Sequence, residues 1–237
     1  IVRRWTWDGG PFQSTDPTAI NYVSATASNG VTLDVDVERY PHQRPWYFGI
    51  RVTVRRGYMQ PGDTITVVLG DKSGGSPGLR LQSFCESKFE LNVLADPCAT
   101  GCFFPVARPH FTIEAGDPAS WVLVAPTLRR PGEAFSLGLR AEDHWGNATG
   151  RYQGSLTLTS DRPVEGLPAT IEFPTGARGA RVEGLRAEAG VFRFTLRDAS
   201  GAVLAQSNPT VIKADVNAGF WADLHGQSGE TVGINPM

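Results

Sequence analysis

Between Val31 and Val37 an apolar side chain falls on every second residue, Val31, Leu33, Val35 and Val37, with Thr32, Asp34 and Asp36 between them. A period of two places one set on a dry face and the other on a wet one, which suits a half-buried strand and no helix. Ile50 to Arg55 repeats the pattern, Thr64 to Leu69 follows the turn Pro61-Gly62-Asp63, and Phe89 to Val93 completes a first set. A second set begins near Phe111 and takes in Trp121 to Val124, Phe135 to Arg140, Leu156 to Leu158 and Phe192 to Leu196. No window of ordinary helix length keeps a period near 3.6, so the expected class is all-β.

The 27 glycines and 17 prolines have no period and are interleaved with aromatic and β-branched residues, as expected for turns between short strands. Ser28-Asn29-Gly30 reads as a hairpin signal joining Tyr22-Val23 to the Val31 strand. Asp143-His144-Trp145-Gly146-Asn147 and Asp198-Ala199-Ser200-Gly201 read as further hairpin turns, where Gly or Asn accepts a positive φ. At 237 residues the chain fits two domains of ordinary size. The expected division is a β-sandwich over 1–107, an immunoglobulin-like β-sandwich over 108–213, with Ala107-Arg108-Pro109-His110 as the junction, and a connector with one further strand over 214–237.

Twenty-two basic residues against 24 acidic ones give a net charge of -2 with no basic run, which argues against a nucleic-acid partner. Nothing approaches the roughly 18 consecutive apolar residues of a membrane span, so no membrane partner is expected. Three cysteines, Cys85, Cys98 and Cys102, are too few for a disulfide scaffold and favour a reducing compartment. Cytoplasm is therefore the favoured location, with periplasm left open because a targeting segment could precede Ile1.

Asp223-Leu224-His225 is the strongest chemical signal. Asp and His two apart in an extended segment point to one face and can share a divalent metal. Two ligands make an incomplete site, since a catalytic metal takes about three protein ligands and an open water position. Phe220-Trp221-Ala222-Asp223-Leu224-His225 resembles the Asp-x-His entry motif of the polymerase-and-histidinol-phosphatase (PHP) class of metallohydrolases. That class continues with a second His, where this chain has Gln227, a poor ligand for a transition metal. The longer stretch to Gly233 is similar to a bacterial family known as domain of unknown function 3604, in which Gln at that place is usual. Pro45-Trp46, Gly57-Tyr58, the Pro61 to Thr66 and Gly70 to Gly78 stretches and Pro126 to Glu133 resemble its N-terminal region.

The resemblance implies that Phe220 to His225 is the first strand of a truncated PHP-like α/β barrel. Asp223 and His225 would be metal ligands, and Gln227 and Glu230 would support them from behind. The complete protein would carry zinc, manganese or iron and act on a small-molecule substrate, whereas this chain alone would hold no metal and its partner would be its own barrel. The expected function is thus an accessory β region of a metal-dependent hydrolase, not catalytic by itself. The alternative is a tandem immunoglobulin-like binding module for carbohydrate or protein. No catalytic residue and no organic-cofactor site is assigned.

Other motifs read more plainly. Gly74-Gly75-Ser76-Pro77-Gly78 has the spacing of a nucleophile elbow, but Pro77 lacks the N–H that would serve the oxyanion. Gly70-Asp71-Lys72-Ser73 sets a carboxylate where a phosphate would approach. Cys85, Cys98, Cys102 and His110 are a weak zinc set; buried thiols or a disulfide across Ala99-Thr100-Gly101 are the simpler readings. His42, His110 and His144 are expected at the surface. Trp46-Tyr47-Phe48 with Trp5 and Trp7 reads as core packing before it reads as a ligand platform. Asn147-Ala148-Thr149 fits a glycosylation triplet but is simpler as a turn.

Overall fold

A computed structural model describes residues 2–4, 9–39 and 48–217. The described chain is all-β with no helix, and it divides into two compact units, Ile1–Ile113 and Glu114–Met237.

The first unit contains β1 (Val2–Arg4), β2 (Val23–Ala27), β3 (Thr32–Arg39), β4 (Phe48–Arg56), β5 (Ile65–Leu69), β6 (Glu86–Glu90), β7 (Asn92–Ala95), β8 (Phe104–Ala107) and β9 (His110–Ile113). A five-stranded antiparallel sheet runs in the order β3-β4-β1-β7-β8, beside the pairs β2-β5 and β6-β9. The alternation in β3 works as the sequence suggests: Val35 and Val37 pack with Val52, Val67, Leu69 and Leu79 against buried Phe12, Val23 and Ile50. On the outer face Asp34 pairs with Arg55, and Glu38 lies 2.9 Å from Arg51.

Three local expectations change. Ser28-Asn29-Gly30 does not close a hairpin, because β2 pairs with β5 while β3 pairs with β4; the turn carries the chain from one sheet to another. Phe89 to Val93 is two strands, since Leu91 donates its N–H to the Pro109 carbonyl at 2.9 Å while β6 joins β9 and β7 joins β1 and β8. Phe111 belongs to the first unit: β9 pairs with β6, Phe89 faces Phe111 with ring centroids 4.9 Å apart, and Ile113 is buried.

The second unit contains β10 (Ser120–Val124), β11 (Leu128–Arg129), β12 (Phe135–Glu142), β13 (Gly154–Ser160), β14 (Thr170–Phe173), β15 (Ala180–Leu185), β16 (Gly190–Phe192), β17 (Phe194–Arg197), β18 (Val203–Gln206) and β19 (Thr210–Ile212). One sheet is β10-β12-β15, the second is β14-β13-β17-β18, and β11-β19-β16 forms a third, in which β11 and β19 are parallel. In β12 Phe135, Leu137, Leu139 and Ala141 are buried while Arg140 is exposed and Ser136, Gly138 and Glu142 are half-buried. Phe135, Leu137 and Leu139 meet Leu156 and Leu158 of β13 and Phe194 and Leu196 of β17 in one continuous core. Each such fully buried side chain contributes about 1.5–3 kcal/mol, which fixes the register, because a one-residue slip would turn the whole set outward.

Candidate functional site

The pairing registers place four connections at one end of the second unit. β12 reaches this end at Glu142, β10 starts there opposite it, β15 starts opposite Leu139, and β13 starts opposite Phe173. The connections are residues 114–119, 143–153, 174–179 and 198–202.

Asp143 organises them. Its side chain is only 4% exposed, and its carboxylate accepts the N–H groups of Gly116, Trp145 and Asn147, each at 2.9 Å. The Asn147 side-chain amide adds bonds at 3.1 and 2.9 Å to the two carboxylate oxygens. Burial pushes this carboxyl upward, but the Asn147 side chain and the Gly116, Asn147 and Trp145 amides outweigh it and hold the pKa down at about 2. The turn closes on itself through Asp143 N–H to Asn147 O at 2.9 Å and Gly146 N–H to Asp143 O at 3.1 Å. Gly146 stands at φ 83°, a left-handed conformation that a side chain would oppose.

Two further latches hold the neighbouring loops. Thr149, 1% exposed, donates its hydroxyl to the Gly116 carbonyl at 2.7 Å, and Gly176 donates its N–H to the Gly150 carbonyl at 3.1 Å. Beneath this end, Trp121 meets Tyr152 and Phe173 edge-on at centroid distances of 4.8 and 5.3 Å. Burial, followed by the nearby Asp198 and Glu172 charges, raises the Tyr152 phenol above its ordinary pKa, so it stays neutral.

On this fixed base the turn projects an aromatic into solvent. Trp145 is 62% exposed, with His144 against it at 5.2 Å and an interplanar angle of 77°. Exposed charges surround the loops, where Arg151 lies 3.2 Å from Asp117 and 4.0 Å from Glu114. Such exposed pairs add little stability, about 0–1 kcal/mol each, and leave a polar rim. The arrangement suits binding: an exposed aromatic whose backbone is held from below, at the tip of a loop cluster.

The residues singled out from sequence distribute differently. Asp223, His225, Gln227 and Glu230 lie outside the described residues, as do Trp5, Trp7, His42, Trp46 and Tyr47. His110 and His144 are exposed, as expected. Among the described residues no group of three or more His, Cys, Asp or Glu side chains is placed to hold a metal ion, so Cys85, Cys98, Cys102 and His110 form no such cluster. Ser76 is buried and accepts the Gly78 N–H at 3.1 Å, a loop-closing role. Asp71 bonds Ser24 and the Ser73 N–H, which likewise serves the turn. Asn147 spends its side-chain amide on Asp143. Trp145 carried a signal that turn reading passes over, a large apolar residue in a turn with no alternating partners.

No protein-family model matches the chain, and no curated protein matches it. Solved structures similar to it include the D0-D1 domain of Intimin, 12% identical with a TM-score of 0.31, covering 82% of this chain and 94% of that one. The D00-D0 domain of Intimin is 11% identical with a TM-score of 0.32, covering 84% of this chain and 96% of that one.

Proposed function

We propose that this chain is a binding module whose second unit, an immunoglobulin-like sandwich, engages a partner protein through the loop end built on Asp143, with Trp145 as the anchor. The carrying observation is the inversion at this turn, a carboxylate buried and fully hydrogen-bonded while the Trp two residues on stands in solvent. A fixed turn spares the backbone ordering that binding would otherwise cost, and Trp is enriched among residues that dominate protein interfaces. Its exposed position, with His144 against it and the charged side chains of Arg151, Asp117 and Glu114 on the neighbouring loops, suits insertion into a partner's pocket.

The test is photo-crosslinking from position 117, on the neighbouring loop with Trp145 kept, in cells that make the protein, followed by affinity measurement with the crosslinked protein. Trp145→Ser is expected to weaken that affinity by about 30-fold or more while leaving the thermal midpoint unchanged. A partner that binds Trp145→Ser as tightly as wild type refutes the anchor. Binding to glycans on an array that depends on Trp145 would replace a protein partner with a carbohydrate.

A second reading rests on the segment Asp223-Leu224-His225 and its resemblance to the metallohydrolase motif. In it the two β units support a metal-dependent hydrolase, and Asp223 and His225 contribute to a site for a divalent ion. Metal content and hydrolytic activity of a longer protein that ignore His225→Ala would remove this reading.

A further inference from the structure

The hairpin between β7 and β8 carries two cysteines on a tip that is already wound shut. Ala95 pairs with Phe104, so the loop 96–103 starts and ends at adjacent strand positions. Cys98 lies on the outgoing limb and Cys102 on the returning one, both exposed and both free thiols. Asp96 gathers the limbs: its carboxylate accepts the N–H of Cys98 at 3.3 Å, of Thr100 at 3.1 Å and of Gly101 at 2.7 Å, and the Thr100 hydroxyl at 3.2 Å. The Thr100 hydroxyl oxygen in turn accepts the Cys102 N–H at 3.2 Å. Both cysteine amides therefore hang from one carboxylate–hydroxyl hub. Ala99 at φ 52° and Gly101 at φ 81° supply the left-handed steps that reverse the chain.

A disulfide needs Cα atoms roughly 4.4–6.8 Å apart, and the closed loop holds Cys98 and Cys102 on facing limbs, four residues apart, with both amides tied to the Asp96–Thr100 hub. We propose that Cys98 and Cys102 are a reversible disulfide site, a redox clasp on the β7–β8 hairpin that the Asp96 turn pre-organises in the reduced chain. With glutathione disulfide as oxidant, the thiolate of one cysteine attacks a glutathione sulfur and releases one glutathione thiolate. The second cysteine thiolate then attacks the protein-side sulfur of that mixed disulfide, forms the Cys98–Cys102 bond and releases the other glutathione. The two protons from the cysteines end on the two glutathione thiols, and two electrons pass from protein to glutathione.

Equilibration of the full chain with mixtures of reduced and oxidised glutathione is the test. Three titratable thiols should fall to one with the chain still monomeric, and a proteolytic peptide should carry the Cys98–Cys102 link. Asp96→Ala should lower the equilibrium constant for closure by about tenfold, because the limbs are no longer held together. Stable mixed disulfides with glutathione, disulfide-linked dimers or bonding through Cys85 would each overturn the proposal. An equilibrium constant unchanged in Asp96→Ala would overturn the role of the turn.

Discussion

Replacing Asp143 by Ala should cost the second unit far more than an ordinary loop substitution. The change leaves the N–H groups of Gly116, Trp145 and Asn147 without their acceptor, and the Asn147 side chain without its partner. Each lost bond to a charged acceptor costs about 1.5–3 kcal/mol when the donor stays dry. These donors sit at a loop end where water can reach some of them after the loop relaxes, so the expected total is about 2–4 kcal/mol. Hydrogen exchange in β12, β13 and β17 should then run about 30- to 1000-fold faster at neutral pH, at about 1.4 kcal/mol per tenfold.

The same carboxylate gives a pH signature. Its folded pKa, about 2, lies below the ordinary 3.8, so it contributes stability above pH 4 and loses it as pH falls from about 4 towards 2. The full shift corresponds to at most about 2.5 kcal/mol, and proximity to solvent reduces this to about 1–2 kcal/mol. Asp143→Asn lacks the titration. The wild-type advantage over Asp143→Asn in urea midpoint should therefore shrink between pH 4 and pH 2. Exchange in β12, β13 and β17 within threefold of wild type for Asp143→Ala, or a wild-type advantage that does not shrink in acid, would refute the reasoning.

Gly150→Ala should destabilise the second unit by about 1–3 kcal/mol, since the added methyl would stand 2.7 Å from the Gly176 carbonyl oxygen, a backbone atom with little room to yield; urea unfolding checks it, and an unchanged midpoint would mean that the 150–176 latch is loose. Residues 1–113 expressed alone should melt cooperatively, whereas residues 1–107 should melt at a lower temperature or not fold, because they lack β9 and leave Phe89 uncovered. Circular dichroism distinguishes these, and equal melting of the two pieces would remove β9 from the first unit's stability.

The sequence made strands visible wherever one face is dry and the other wet. β12 is the clearest case, because its alternate residues Phe135, Leu137, Leu139 and Ala141 all reach the core. Pairing was less visible, since it depends on residues far away in the chain. Nothing local to Ser28-Asn29-Gly30 distinguishes a hairpin turn from a step between sheets; the difference is made by β5, which pairs with β2, and by Thr64 just before it, whose carbonyl takes the Ser28 N–H at 2.9 Å. Leu91 is similar. An unbroken alternation from Phe89 to Val93 hides the change of partner that the Pro109 carbonyl imposes on its N–H.

The candidate site was hidden for a different reason. Asp16, Asp71, Asp96 and Asp198 also stand in turns, accept nearby N–H groups and have lowered pKa values. By composition these turns resemble the one at Asp143, so the motif alone reads as loop closure in all five. Burial separates them, for Asp16 is exposed and Asp71, Asp96 and Asp198 are half-buried, while Asp143 is 4% exposed. A buried carboxylate is tolerated because donors from both the 114–117 and 143–147 segments converge on it, a tertiary fact that no spacing encodes. Once the carboxylate is fixed inside, the left-handed step at Gly146 brings Asn147 back to it and leaves Trp145 at the apex facing solvent. Loop closure needs only the backbone N–H of residue 145, which any residue but Pro provides. The indole is therefore surplus to the fold, and a side chain surplus to the fold but displayed on a fixed turn is the kind that binding uses.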